Sequence, residues 1–500
     1  MIVKKTLKLI LTTILLSNCG QDVKEHSSKN LSKHHLQLNN QTDLTKAHNA
    51  TGRYNYAEAF QLTPLFFAAN QMGSLTDRRL SWRFDSATDG YYSGGYADAG
   101  DNIVFGKAQF AAIANMCITA HFFKDELSAM GQYDEMQRQI QHGIDFIVKA
   151  HVTDSEVNTQ RLIVQLGDSP TDHTRWVSIE ESTHARPIYY IDSEIRGSDY
   201  AALASAALGF CAQVPMKQNP QELTARSYSL FEFAKKNRGL GHENGFINTV
   251  YKNVNGDEDE IALAALGLYA VTGQSSLLWE AHNFLDDTWL GPWAGGYEHQ
   301  EQMASLLLAL ADPIAFSARK TAIEHYFNTW LNVGSGLKQT EGGYIIHDEN
   351  NWGSSGSVTP ALMTMAIYSK VTGSQYLKSH ITNQVNYLLG DNPPGLSYLC
   401  GFNSSNNCSK IHHRGASGGS FHQHGENNPY MLWGALLGGV TEHDWDFVNS
   451  HDNWTGNEPT ISYNAQIQAP LLYMFSQFGG NPLSDDELQA KLDGFAGYPQ

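Results

Sequence analysis

Residues 258–273 read EDEIALAALGLYAVTG, and residues 360–373 read PALMTMAIYSKVTG. Each is an apolar, helix-like run that closes on Val-Thr-Gly, at Val271-Thr272-Gly273 and Val371-Thr372-Gly373. A leucine follows four residues after each glycine, at Leu277 and Leu377. A glycine just past an apolar run supplies the left-handed conformation that stops a helix. Two copies of helix, stop and second helix are the mark of stacked helix–turn–helix units. Ala/Leu-rich runs also cover Ser198–Ala212, Gln300–Ala311 and Tyr376–Leu389, and Met136, Ile140, Ile144 and Ile147 recur at helical spacing. Alternating β-type runs are scarce. The sequence therefore predicts a single large all-α domain of helical hairpins joined by aromatic, glycine-rich loops.

The N-terminus has the form of a secretory leader, basic Lys4-Lys5 followed by the apolar run Leu7 to Leu16. That run is shorter than the roughly 20 residues a bilayer requires. It ends Leu16-Ser17-Asn18-Cys19-Gly20, which resembles a bacterial lipobox with Cys19 as the lipidated residue. Asn18 departs from the small residue usual there, and ordinary secretion is the alternative. Residues 20–50 are polar, without apolar periodicity, and read as a flexible tether. The expected organisation is a leader over 1–19, a tether over 20–50 and a folded domain over 51–490. The expected location is extracytoplasmic, as a membrane-anchored lipoprotein or a secreted or periplasmic protein, touching the membrane only through the lipid. Cys400 and Cys408 bracket a Ser/Asn-rich loop and are placed for a local disulfide, whereas Cys117 and Cys211 lie in apolar helical runs where plain burial is expected.

A formal charge of −18 makes nucleic acid and anionic lipid poor partners, the more so because the leader is basic and the remainder more acidic still. Neutral ligands are the natural partners. The 10 Trp, 23 Tyr and 22 Phe suit stacking against sugars.

Two places carry candidate chemistry. In Gly94-Gly95-Tyr96-Ala97-Asp98-Ala99-Gly100-Asp101, two carboxylates stand three apart in a glycine-punctuated turn, near enough to share one water. The competing reading makes Asp101 the N-cap of a helix starting near Asn102. Far along the chain, Pro459 keeps Glu458 out of helical geometry. Trp454 and Tyr463 are placed to shield that Glu from water, which raises a carboxyl pKa, whereas a helix-start Glu would have a lowered one. Histidines at 412, 413, 422 and 424 invite a metal reading, but Arg414 is an awkward neighbour for a cation, and donation to sugar hydroxyls fits better.

Three blocks in this order resemble glycoside hydrolase family 9, the inverting cellulase family. They are Ser93–Asp101, Gly390-Asp391-Asn392-Pro393 through His412-His413-Arg414-Gly415-Ala416, and Asn457-Glu458-Pro459-Thr460-Ile461-Ser462-Tyr463-Asn464-Ala465. Weaker stretches, among them Gly167-Asp168 with Asp172-His173, extend the similarity over about 54–475. The resemblance implies an (α/α)6 toroid with the cleft built by loops on one face. It implies Asp101 as general base, Asp98 as orienter of the water and Glu458 as general acid. It also implies sugar contacts from His412, Arg414, Tyr463, His173 and Trp176, with Tyr251, Trp289 and Trp352 along the cleft.

No cofactor is implied for the chemistry. Asn255, Gly256, Asp259 and Glu260 resemble one side of the family's structural calcium site, but Trp293 is followed by Ala294 where the family carries a distal Asp, which weakens a site needing several oxygens. Before Glu458 the family's Asp/Arg-rich stretch is replaced by Asn449, His451 and Asn453. The expected protein is a monomeric endo-β-1,4-glucanase acting on cellulose, cellodextrins or related β-glucans. The alternatives are an exo-acting cellodextrinase, β-glucosidase or glucosaminidase of the same family, and a non-catalytic oligosaccharide-binding protein.

Overall fold

A computed structural model describes residues 52–86, 90–245, 249–285, 290–293, 296–348, 352–403, 406–420 and 425–498. All of them fall within the unit Asn40–Gln500. The leader, the tether and Cys19 lie outside the described residues.

Six helical stretches form an inner ring: α2 (Gly106–Phe122), α6 (Ser198–Cys211), α8 (Glu258–Thr272), α10 (Glu301–Ala311), α12 (Ser355–Thr372) and the pair α15 (Ile461–Gln466) and α16 (Gln468–Phe478). Each packs on the next, and α15 returns to α2, so the ring closes. Around it lie α1 (Tyr56–Asn70), α4 (Tyr133–Ala150), α7 (Pro220–Lys236), α9 (Ser275–Phe284), α11 (Ser317–Leu331) and α13 (Lys378–Leu388). The short helices are α3 (Lys124–Ala129), α5 (Ser169–Asp172) and α14 (Trp454–Asn457), with α17 (Asp485–Asp493) near the C-terminus. This is the (α/α)6 toroid.

Composition separates the two rings. Inner helices are covered on every side, so they are apolar all round and rich in Ala; every residue of α6 is buried. Small side chains set how closely these helices approach. A Cβ on Gly209 of α6 would stand 2.7 Å from the carbonyl carbon of Gly267 on α8. Outer helices such as α4 bury one stripe, which includes Met136, Ile140, Ile144 and Ile147. The glycine stops fall as read: Gly273 and Gly373 cap α8 and α12 at φ +69°, and Leu277 and Leu377 are buried.

Because inner and outer helices alternate, every long connection entering an inner helix gathers at one end of the ring. Strands, scarce in the sequence reading, are few and short, yet one group positions that end. The strand β3 (Thr159–Leu166) pairs antiparallel with β1 (Val104–Phe105), β2 (His151–Thr153) and β4 (Ile188–Ile191). The Val104↔Leu166 register sets the segment after Asp101 beside the segment that begins at Gly167. A two-stranded ribbon, β5 (Leu337–Gln339) with β6 (Ile345–His347), precedes α12.

Cys400 and Cys408 are joined, as expected. Cys117 and Cys211 are joined too, which corrects the expectation that they are simply buried. They sit on α2 and α6, neighbours in the inner ring, with Cα atoms 5.1 Å apart, within disulfide reach. Closing a span of 94 residues restricts the unfolded chain strongly. The Cys117→Ala/Cys211→Ala variant is expected to lose about 2–5 kcal/mol of stability in denaturant unfolding, and an unchanged midpoint under oxidising conditions would show that the bridge does not form.

Candidate active site

The turn carrying the paired carboxylates is fastened to the helices around it. Met72 N donates to the Gly95 carbonyl at 2.8 Å and Ala97 N to the Asn70 carbonyl at 2.8 Å. Tyr96 is buried, and its hydroxyl donates to the Gln139 carbonyl on α4 at 2.6 Å. Asp101 does not cap α2, which starts at Gly106 beyond β1. Its Oδ1 accepts only the nearby Ile103 N, at 3.2 Å.

One peptide ties three distant blocks together. Gly100 N donates to Glu458 Oε1 at 2.9 Å, and the Gly100 carbonyl accepts Arg414 N at 2.9 Å. Ile461 N, three residues past Glu458, donates to the Asp98 carbonyl at 2.9 Å. No side chain fits at Gly100, since a Cβ would stand 2.1 Å from the His412 carbonyl oxygen.

The three acids occupy different surroundings. Asp98 is buried; Tyr251 donates its hydroxyl to Oδ2, while Oδ1 is buried without a partner. Burial holds this carboxyl well above the ordinary range, and the charges of Asp101 and Glu458 push the same way. Asp101 keeps an edge toward solvent and meets His173 Nε2 at 3.2 Å through Oδ2. That hydrogen bond raises the His173 pKa. Glu458 follows α14, partly exposed, with its carboxyl pushed up to about 8 by burial and then by the charge of Asp101. Gly100 N and Arg414 oppose that rise without cancelling it. Asp101 and Glu458 are not bonded to each other; they flank the Gly100 peptide.

Arg414 is buried and donates from Nη1 to Asp172 Oδ2 at 2.6 Å, with its guanidinium 5.2 Å from the Trp176 ring. The Trp176 indole donates to Ser417 Oγ at 2.6 Å and meets His412 edge-on at 4.7 Å. His412 Nδ1 lies 2.6 Å from the His451 carbonyl, which fixes the proton on Nδ1 and leaves Nε2 as an acceptor. Burial lowers the His412 pKa. His413 turns inward to Asn70, and burial brings it down to about 3, so it takes no part in a cluster with His412. His422, His424 and Trp289 lie outside the described residues.

Several residues sit differently from their reading. Tyr251 does not form an open platform; it is buried against Phe105 and Tyr297 and its hydroxyl is spent on Asp98. Tyr463 is 3% exposed and donates to the Glu458 carbonyl. Tyr463 is buried against Glu458, while Trp454 is 52% exposed. Trp352 is 39% exposed beside α14, where Gly353 N donates to the Thr455 carbonyl at 2.7 Å. Sequence reasoning missed Asp172 as the partner of Arg414. Its pairing with His173 in one stretch was the signal present.

At the candidate cation site, Asp259 and Glu260 are buried at the start of α8. Asp259 Oδ2 accepts Gln300 N at 2.6 Å, and Glu260 Oε1 accepts Asn253 Nδ2 at 2.8 Å with Lys107 Nζ at 3.7 Å. Asp259 Oδ1 and Glu260 Oε2 are buried without partners, which fits a hard cation. The Asn255 amide nitrogen is engaged with His299, which leaves its amide oxygen and the backbone carbonyls of Asn255 and Gly256 as the oxygens these two residues offer.

Known proteins match this chain in sequence and in fold. The model of Glycosyl hydrolase family 9 matches residues 56–471. "Endoglucanase B" of Cellulomonas fimi is 30% identical over 477 residues, covering 89% of this chain and 44% of its own length. "Endoglucanase 21" of Oryza sativa subsp. japonica is 29% identical, covering 85% and 89%. The catalytic domain of Clostridium thermocellum CelT superimposes with a TM-score of 0.79 at 26% identity, covering 87% of this chain and 99% of that one. The cellulase Cel9M of C. cellulolyticum in complex with cellobiose gives 0.76 at 28% identity, covering 85% and 99%.

The surroundings of Glu458 predict a carboxyl protonated up to about pH 8 and ionised above it. Infrared difference spectra against Glu458→Gln should show its protonated carbonyl band persisting to that pH. A band already lost in the ordinary carboxylate range would contradict the buried setting.

Proposed function

The chain belongs to glycosyl hydrolase family 9, and from that membership we propose the reaction its cleft carries out. It is an endo-β-1,4-glucanase that hydrolyses β-1,4-glucosidic bonds of cello-oligosaccharides and related glucans. The observation that carries the mechanism is the pair of acids held around Gly100: a raised, protonated Glu458 and an Asp101 hydrogen-bonded to His173. In this reading Asp101 takes a proton from water as its oxygen attacks the anomeric carbon. Asp98 steadies that water through its unpartnered oxygen. Glu458 gives its proton to the departing glycosidic oxygen as the bond breaks. One direct displacement inverts the anomeric centre. His412, with Nε2 free to accept, the Arg414 guanidinium, His173 and Trp176 line the same wall and supply polar and stacking contacts to the sugar.

We place the enzyme outside the cytoplasm. The leader supports this, and so do two disulfides, which persist in oxidising compartments. Among the described residues no helix is long and apolar enough to cross a membrane. Attachment through a lipid on Cys19 belongs to the same proposal. A calcium ion held by Asp259 and Glu260 would brace the start of α8 and take no part in the chemistry.

Two measurements test this. With cellopentaose, proton NMR in the first minutes should show the α-anomer at the new reducing end and a spread of shorter products. Glu458→Gln should lose about 10²–10⁴-fold in hydrolysis while still binding the oligosaccharide. Initial β-anomer, or undiminished activity in that variant, would overturn the mechanism. Separately, calcium should raise Tm and a chelator lower it, and a Tm indifferent to both would remove the ion from the proposal.

A further inference from the structure

Arg414 is a buried cation among three carboxylates. The charges of Asp101 and Asp172 act on one another, and Arg414 acts on both Asp172 and Glu458. Its side-chain bonds nevertheless go to one residue. Nη1 donates to Asp172 Oδ2 at 2.6 Å, and Nη2 reaches the Asp172 carbonyl at 3.4 Å. Asp172 is itself buried, at the end of α5, and its Oδ2 also accepts Asn102 N at 3.3 Å. That last bond fastens it to the residue following Asp101. One polar side-chain atom from each of Asp101, Asp172 and His173 lies within 4.8 Å of the other two.

A buried guanidinium does not stay unpaired, because an uncompensated charge out of water is costly. If Asp172 lost its charge, the guanidinium would turn to the remaining carboxylates: Asp101, which has an atom within 4.8 Å of Asp172, and Glu458, on which its charge already acts. An Arg–carboxylate pair commonly forms two parallel bonds. Such a pair at Asp101 would occupy the lone pairs that a general base must offer to water, and would weaken that base. We propose that Asp172 is a positioning residue: it holds Arg414 away from Asp101, keeping the Asp101 carboxylate free for water and the guanidinium face free for the sugar. The proposal rests on the reading of Asp101 as the base.

The charged or titratable groups that act on Asp101 are Asp98 from its own turn, Asp172 and His173 from the end of α5, Tyr251, His412 from the loop before α14 and Glu458 after it, with Arg414 held against Asp172. Asp172 repels the Asp101 charge, and Arg414 beside it carries the opposite sign. Removing either charge alone shifts the Asp101 titration through its field, so the positioning role is read from the kcat loss in Asp172→Asn and its recovery in Asp172→Glu.

The test is the pH dependence of kcat/KM on a soluble cello-oligosaccharide for the full chain and three variants. Asp172→Asn should lower kcat about tenfold or more with KM little changed, and shift the acid limb down by about one pH unit. Arg414→Met should shift the acid limb up by a similar amount. Asp172→Glu, which keeps the charge, should recover most of the kcat lost in Asp172→Asn. Undiminished kcat in Asp172→Asn, no recovery in Asp172→Glu, unshifted limbs, or limbs moving the same way in both variants would overturn the proposal. If Asp172→Asn fails to fold, the upward shift in Arg414→Met and the wild-type limb position in Asp172→Glu still decide it. Asp101→Asn separates the two levels. Retained hydrolysis there means the base is misassigned, whereas lost hydrolysis with unshifted limbs elsewhere defeats the positioning role alone.

Discussion

The peptide of Gly100 is the point on which the rest of this structure turns. Its N–H goes to Glu458 and its carbonyl accepts Arg414 N, so one residue joins an early turn, a mid-chain loop and a late acid. No Cβ fits there, because the His412 carbonyl occupies that space. The constraint is steric as well as polar. It sets Glu458 beside the early carboxylates without a bond between Glu458 and Asp101.

The toroid makes such a junction possible. Six inner helices close a ring, so residues 358 apart in sequence meet where the loops at one end converge. Ala-rich faces allow the inner helices to approach closely, and the Cys117–Cys211 bridge ties two of them covalently. Rigidity at the site follows from this packing. Tyr96, on the turn of Asp98 and Asp101, is bonded to α4, and Tyr251 and Tyr463 are buried donors to the segments of Asp98 and Glu458.

Electrostatics at the junction depend on division of labour among like charges. Asp98, Asp101, Asp172 and Glu458 crowd one Arg and two His side chains. Burial keeps Asp98 and Glu458 toward the protonated state, while Asp172 takes the guanidinium. Glu458 holds its proton where an ordinary carboxylate would lose it, because burial and the charge of Asp101 both disfavour its ionised form.

Much of this was legible in the residues. The helical runs fell at α6, α8, α10, α12 and α13 within a few residues, and the Val-Thr-Gly stops are where chain direction reverses, because helix periodicity and glycine stereochemistry are local. The turn of Asp98 and Asp101 and the loop of Glu458 were also local signals. What local pattern could not supply was β3, the Cys117–Cys211 pairing, the Asp172–Arg414 bond and the inward placement of Tyr251 and Tyr463. Each depends on which segments pack together, and burial and partner choice are properties of the assembled ring. The sequence by itself determined the helices, their stops and the candidate acids; only the tertiary structure decided which acid keeps its proton, since that is set by neighbours hundreds of residues away.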